Sequence, residues 1–275
     1  MITLQIETRG NCNARCHFCP YPKTMNERAG LILADKYVYK LLDDAAQSDK
    51  IKIVIFHGLN EPLLDKRLED FTRYIKTKRP DITVVIFTNG VFLTPKRFES
   101  LKAAGLGSLV VSLNAVSQEQ HERIMGLKGK FATVVDNCRY AIAHLDGMDF
   151  GVHAVVNDDT FTERDGVEFL RAWGISTMGG HGLCVREGNW AGDNRTTYTF
   201  KPNEWCSRAT TSIYVTCEGT VTACCFDPYG KLDFGNIKEQ SLADIYSGEK
   251  YVRFRQDHVN DEADKWEICK NCTRI

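Results

Sequence analysis

Two periods of apolar and polar residues alternate along this chain. ITLQIE (2–7) alternates residue by residue, and KIVIFH (52–57), ITVVIF (82–87), SLVVSL (108–113) and FGVHAVV (150–156) are short runs dense in Val and Ile. Such runs predict strands buried on both faces of a parallel sheet. ISTMGG (175–180) is a weaker sixth. Between the runs the period lengthens. ADKYVYKLLDDAAQ (34–47) places apolar residues at 38, 41, 42 and 45, one stripe of a helix. KRLEDFTRYIKTK (66–78) follows an aspartate suited to cap it. TPKRFESLKAAG (94–105) has Thr94 as N-cap, Pro95 in the first turn and Gly105 as its stop. FATVVDNCRYAIAHL (131–145) and TERDGVEFLRAW (162–173) complete the series.

This alternation predicts an α/β fold. Six strands are too few for the eight units of a closed barrel. The expectation is therefore a partial (β/α)6 TIM-like barrel with an open side that admits a substrate. After about residue 184 the alternation stops. Residues 184–202 read as a connection that carries Arg186, Glu187, Asn189, Trp190, Asp193, Asn194 and Arg195. SIYVTCEGTVTACC (212–225) reads as a hairpin turning at Glu218-Gly219, and residues 241–256 as a helix interrupted near Gly248. The expected domains are 1–185, the barrel, and 186–275, a linker and a small C-terminal domain with a β-hairpin and a helix. The second has few apolar residues for a core of its own, and small modules of that kind lean on bound metal.

Composition narrows the function. Hydrophobic residues make up 43% and charged residues 26%, with a net charge of −1 and both signs mixed along the chain. A core of ordinary size is expected, and neither nucleic acid nor a membrane is an expected partner. The N-terminus MITLQIETRG has no basic segment ahead of a long apolar run, so a cytoplasmic location is expected. The chain enters its first strand at once, so a leader-binding module ahead of it is not expected, which lowers a peptide-maturation role without removing it.

Eleven cysteines change the picture. In a reducing compartment, clustered cysteines signal metal or redox chemistry rather than disulfides. Cys12, Cys16 and Cys19 follow the first strand, at the end where such barrels hold their chemistry. A four-iron cluster needs four outer ligands. Three cysteines leave one iron open to bind a small molecule. A structural zinc site needs four ligands, and the only local fourth, His17, lies between two of the cysteines.

The stretch CNARCHFC (12–19), Cys-x3-Cys-x2-Cys with Phe18 before the last cysteine, resembles the signature of the radical S-adenosylmethionine (SAM) superfamily. That resemblance implies a 4Fe–4S cluster whose open iron chelates SAM, cleavage of SAM to a 5′-deoxyadenosyl radical, and hydrogen abstraction from substrate. Phe18 would lie against the cofactor. HGLNEPLL (57–64) is similar to the family's Gly-Gly-Glu stretch, which implies SAM contacts from Gly58, Asn60 and Glu61; Leu59-Asn60 stands where a second glycine is usual. Ser112 and Asn114, in SLNA at the end of the fourth strand, match positions that hold SAM in relatives, or simply end a strand in polar residues. Thr88-Asn89-Gly90 reads as a turn. The resemblance spans about residues 2–180.

Cys206, Gly219-x4-Cys224 and Cys269-x2-Cys272 resemble the auxiliary-cluster extension of many such enzymes, in its shorter Twitch form rather than the longer SPASM form. The resemblance implies a second 4Fe–4S cluster, fully ligated and so suited to carrying electrons. A four-cysteine zinc ribbon is the competing reading. Cys138 falls on an apolar helical stripe with Phe131, Val134, Val135, Ile142 and Leu145 and is expected in the core. Cys217 reads as structural. Cys225 or Cys184 would serve as a hydrogen-atom donor, or as a buried inert thiol; Cys225 is expected to face away from Cys224 on an extended strand.

The leading expectation is a radical SAM dehydrogenase acting on a small polar sugar or aminocyclitol, as the Twitch resemblance implies. The auxiliary cluster would accept an electron, and a flavodoxin- or ferredoxin-type reductant would feed the enzyme. The alternatives are a radical SAM epimerase with a cysteine donor, a peptide-modifying enzyme, a non-catalytic iron–sulfur electron carrier or redox sensor, and a zinc-stabilised binding module.

Overall fold

The computed structural model describes residues 1–155, 162–173, 183–184, 189–190, 193–194, 206–227 and 229–270. Strand β1 (Ile2–Ile6) runs through the cysteine loop to α1 (Tyr21–Arg28). Then α2 (Asp35–Gln47), β2 (Ile51–Phe56), α3 (Leu68–Lys78), β3 (Thr83–Thr88), α4 (Pro95–Ala103) and β4 (Ser108–Ser112) alternate. Helices α5 (Gln118–Met125) and α6 (Phe131–Ala143) precede β5 (Asp149–Val155); α7 (Glu163–Ala172) and β6 (Leu183–Cys184) follow. Strands β7 (Asn189–Trp190) and β8 (Asp193–Asn194) form a short antiparallel ladder. The C-terminal region contributes α8 (Ser207–Thr211), β9 (Ser212–Val215), β10 (Val221–Thr222), α9 (Leu242–Ser247), α10 (Glu249–Val259) and α11 (Glu267–Lys270).

One open sheet runs β10-β9-β1-β2-β3-β4-β5-β6, with β1 to β6 parallel and in chain order. This is the partial barrel. Its register aligns Ile6 with Phe56, Phe56 with Ile86, Ile86 with Leu109 and Leu109 with Phe150. These side chains are buried, as are Val38, Leu41 and Leu42 of α2 and Phe71 and Ile75 of α3. Alternation then sends Gln5, Ile55, Phe87, Ser112 and His153 to the opposite, inner face of the sheet. The inner face therefore carries the polar and half-buried groups. Among the described residues, no helix is long and apolar enough to cross a membrane.

The C-terminal hairpin turns where expected: Gly219, at φ +89°, donates to the Thr216 carbonyl at 2.8 Å. It is no detached appendage, however. Strand β9 pairs parallel with β1, matching Leu4 with Ile213 and Ile6 with Val215. Ile213, Val215, Phe234, Tyr251 and Phe254 join the same core as the barrel strands. The region buries more apolar side chains than its sequence suggested, and they belong to the barrel's core rather than to a separate one. Helices α9 and α10 meet at Gly248, the expected break.

Other details differ from expectation. The strand beside β5 is Leu183–Cys184, while residues 175–180 lie outside the described residues. Asp65 does not cap α3. Arg67 takes the N-cap position, and Asp65 accepts from its amide at 3.0 Å and its guanidinium at 2.7 Å. Helices α1 and α5 escape the pattern because they are short and their buried faces mix polar with apolar residues, Thr24 and Arg28 with Tyr21 in one and Gln120 and His121 with Ile124 and Met125 in the other.

On α6, Cys138 is fully buried with Val134 and Ala141, but Ile142 is 46% exposed. Burial alone pushes the Cys138 thiol up to about 12, the behaviour of a small apolar core residue. Cys138→Ala therefore lowers stability by about 1 kcal/mol and leaves bound iron unchanged. Thermal unfolding with iron analysis of the same sample checks this; loss of iron would make the residue a ligand.

Candidate functional site

The cysteine loop between β1 and α1 is held from three sides. Arg15 and His17 amides donate to the carbonyls of Met125 and Ile124 at the end of α5, both at 2.8 Å. The Asn89 side chain donates to Asn13 Oδ1 at 2.8 Å, and the Glu61 amide to the Asn11 carbonyl at 2.9 Å. Gly126 makes the α5 contact possible: a Cβ there would lie 2.8 Å from that of Arg15. So pinned, the loop turns all three thiols into one cleft at the C-terminal ends of the strands.

Two of these sulfurs are met by backbone N–H groups. The Ala14 amide donates to Cys12 Sγ and the Tyr21 amide to Cys19 Sγ, each at 3.4 Å, and the Cys16 thiol meets Met125 Sδ at 3.5 Å. Amides aimed at sulfur suit cluster-bound thiolates, whose potential such bonds tune. Burial, with the nearby Glu61 carboxylate adding to it, pushes the Cys12 thiol up to about 12. Burial and its two neighbours hold the Cys16 thiol well above the ordinary range. Both are therefore protonated until a metal displaces the proton. Among the described residues, no three Cys, His, Asp or Glu side chains converge closely enough for a single metal ion. His17 is exposed and does not line the cleft. Three thiols around one cleft, without a local fourth ligand, fit a cluster with an iron for each sulfur and one to spare.

The other expected residues of the barrel half, Phe18, Gly58, Asn60, Glu61, Ser112 and Asn114, line the same cleft. Glu61 is buried and already holds three donors. Oε1 accepts from the Leu63 amide at 3.0 Å and the Thr88 hydroxyl at 2.6 Å, and Oε2 from the Asn89 amide at 2.8 Å. Burial pushes this carboxyl up to about 7, against those bonds and the charge of Arg97. An incoming cation would favour its ionised form. Asn60 Oδ1 accepts from the Gly58 amide at 2.8 Å, while its Nδ2 is buried without a partner. Asn114, at φ +53°, is committed internally: Oδ1 accepts from Val155 N at 2.8 Å, and Nδ2 donates to Met125 Sδ at 3.0 Å.

Sequence reasoning passed over several lining residues. Thr88 and Asn89, read as a turn, supply two donors to Glu61. His57 and Phe87 also line the cleft, with ring centroids 5.2 Å apart; period-two alternation past β2 and β3 could have found them. Met125 and Tyr21 had no sequence signal, because both come from short helices whose buried faces mix polar with apolar residues.

In the second set, Cys206 and Cys269 pack on the main core, and Cys272 lies outside the described residues. Cys184 is described only by its pairing with Val155. Cys224 and Cys225 correct an expectation. They occupy a turn closed by Asp227 N to the Cys224 carbonyl at 2.9 Å, not a strand, and their thiols meet. That contact, then burial, raises the Cys224 thiol well above its ordinary value. The Phe226 amide donates to Cys224 Sγ at 3.4 Å, repeating the motif of the first loop. Arg208 reaches Cys225 Sγ at 3.4 Å. Cys224 and Cys225 pack against the buried trio Tyr21, Leu59 and Phe226, and so do Cys12 and Cys19.

Comparison with known proteins agrees with this geometry. The Radical SAM superfamily model matches residues 6–171, and the model of an iron–sulfur cluster-binding domain, SPASM, matches residues 206–273. The S-adenosyl-L-methionine-dependent 2-deoxy-scyllo-inosamine dehydrogenase of Niallia circulans is 28% identical over 99% of this chain and 92% of its own length. A tungsten-containing aldehyde ferredoxin oxidoreductase cofactor-modifying protein of Pyrococcus furiosus is 24% identical over 92% of this chain and 82% of its own. In fold, the chain resembles BtrN in complex with AdoMet and 2-DOIA, with a TM-score of 0.71 at 23% identity, covering 99% of this chain and 93% of that one. It also resembles anSMEcpe with bound AdoMet, with a TM-score of 0.71 at 16% identity over 98% and 88% of the two chains. With its three-thiol cleft and its second cysteine set, the chain belongs to the radical SAM superfamily and is a SAM-dependent iron–sulfur enzyme.

Proposed function

We propose that this enzyme oxidises a hydroxyl-bearing carbon of a small polar ring compound of the aminocyclitol or amino-sugar class. One observation carries the reading: Cys12 and Cys19 of the first set and Cys224 of the second pack against the same Tyr21–Leu59–Phe226 group, so a cluster held by the second set would lie close to the wall of the cleft and could take an electron from it. The full-length likeness to a dehydrogenase of an aminocyclitol supports the substrate class. Residues 1–185 would form the SAM-binding unit and 186–275 the linker and auxiliary unit.

Cys12, Cys16 and Cys19 would hold the SAM-binding cluster, and Cys206, Cys224, Cys269 and Cys272 the auxiliary one. When bound, the first cluster and SAM supply a hydrogen-abstracting carbon radical, and the second supplies a one-electron acceptor. The chain's own residues do the rest. Asn60 Nδ2, buried without a partner, offers a donor to the carboxylate of SAM, and Glu61 offers negative charge to its ammonium. Gly58 keeps the backbone low beside Glu7. Ser112 and the Phe18 ring flank the cofactor, and Asn114 fixes the end of β5 through Val155. His57 and Phe87 give the cleft an imidazole and an aromatic face, which suit hydroxyl groups and the C–H face of a saturated ring. A flavodoxin- or ferredoxin-type reductant would supply electrons in a cytoplasmic setting.

A second reading rests on the same wall. Cys225 packs against it, so its thiol could return a hydrogen atom and yield an epimer. Its contacts with Cys224 and Arg208 favour a role beside the auxiliary ligands instead.

Three outcomes test these assignments. Anaerobically reconstituted enzyme given 2-deoxy-scyllo-inosamine deuterated at its carbinol carbons transfers deuterium into 5′-deoxyadenosine and forms a ketone; an epimer without ketone would replace oxidation by the second reading. Cys224→Ala lowers iron from roughly eight to roughly four per chain, whereas Cys225→Ala keeps both the iron and ketone formation. Glu61→Gln weakens SAM binding about tenfold, read from the perturbation of the reduced-cluster spectrum, with iron content unchanged.

A further inference from the structure

Behind the cleft, a buried pair of charges sits where four segments meet. Glu7 extends β1 toward the cysteine loop and is 0% exposed. Its Oε1 accepts from the Leu59 amide at 2.8 Å, in the loop that carries Asn60 and Glu61. Its Oε2 accepts from the Cys217 amide at 3.0 Å, in the C-terminal hairpin, and pairs with the guanidinium of Arg28 at the end of α1. Arg28 is also buried and reaches Cys217 Sγ at 3.5 Å. Backbone is packed onto the pair. A Cβ on Gly58 would lie 2.6 Å from Glu7 Cγ, and one on Gly10 would lie 2.4 Å from the Arg28 carbonyl oxygen.

A buried ion pair is a poor source of net stability, because apolar side chains of the same volume serve as well or better. What a carboxylate adds is two acceptor oxygens held rigidly together. Here one oxygen holds the SAM-side loop and the other holds the auxiliary unit. We propose that Glu7 is a positioning residue that couples the loop 58–61 to the auxiliary unit at Cys217, so that filling the cleft with SAM tightens the auxiliary unit as well. By linkage, the auxiliary unit affects SAM affinity in return. The proposal rests on the family assignment and not on the identity of the substrate.

Amide hydrogen exchange of the reconstituted holoenzyme, with and without SAM, tests it. In the wild type, SAM slows exchange in the segments around both Leu59 and Cys217. The double variant Glu7→Gln/Arg28→Met removes both charges, and its amide has one acceptor oxygen where the carboxylate has two. In that variant SAM still slows exchange around Leu59 but no longer around Cys217, and the SAM dissociation constant rises by at least about fivefold, with iron content retained. The proposal fails if SAM leaves exchange around Cys217 unchanged in the wild type, a comparison that needs no variant to fold. It fails equally if the double variant transmits the effect undiminished. SAM binding, read on the same samples from the reduced-cluster spectrum, separates this failure from a failure of the cofactor assignment.

Discussion

A carboxylate sealed from water must be matched on every side, and Glu7 imposes that condition on four segments at once. Burial alone would lower the Arg28 pKa, but the adjacent Glu7 charge more than reverses this, and the guanidinium stays charged. Removing either partner alone would strand a charge in the interior, at a cost of about 3–5 kcal/mol. The pair also joins the two ends of the cysteine loop, because Glu7 precedes Cys12 and Arg28 closes the helix that follows Cys19. The loop is therefore anchored at both ends by the protein itself. Its internal bonds to α5 and to Asn89 then set where the sulfurs face.

The cleft that results is electrostatically unsatisfied in a definite direction. Burial raises the pKa of Cys12, Cys16 and Glu61 alike. Each group would ionise more readily with positive charge close by. Iron beside the thiols and a sulfonium amino acid beside Glu61 would both supply it, and each would favour the other through the shared negative charge. The backbone donors on Cys12 and Cys224 oppose the burial locally, since an N–H aimed at sulfur favours the thiolate.

The parallel strands were legible because one face is buried and the other, though only half-buried, still carries Ile55, Val85 and Phe87, which leaves a continuous apolar run, and β1 to β5 match the predicted runs to within a residue or two. Helix α2 showed its stripe for the same reason. Helices α1 and α5 were hidden because tertiary contacts, not apolar periodicity, bury Arg28, Gln120 and His121. The cleft was readable wherever its residues lie close together in sequence, as Cys12, Cys16 and Cys19 do, or end or follow a strand, as Ser112 and Glu61 do. Thr88 and Asn89 were undervalued because a turn and a carboxylate clamp look alike until Glu61 is placed beside them. The Cys224–Cys225 pair misled because alternation holds only on a strand, and β10 ends at Thr222.

The C-terminal region shows how a weak local signal becomes a strong global one. Ile213 and Val215 of β9 are buried beside β1, and Phe234, Tyr251 and Phe254, packed on one another, join the same core rather than forming a separate one. Once β9 lies parallel to β1, the ends of both strands point the same way. The loop after β1 carries the first cysteines, and the hairpin that β9 begins carries Cys224. Tyr21, Leu59 and Phe226 then fill the space between them, one from each of the three segments that meet there. The closeness of the two thiol sets thus follows from the sheet. The auxiliary unit cannot leave without exposing the β1 edge of the barrel that β9 covers.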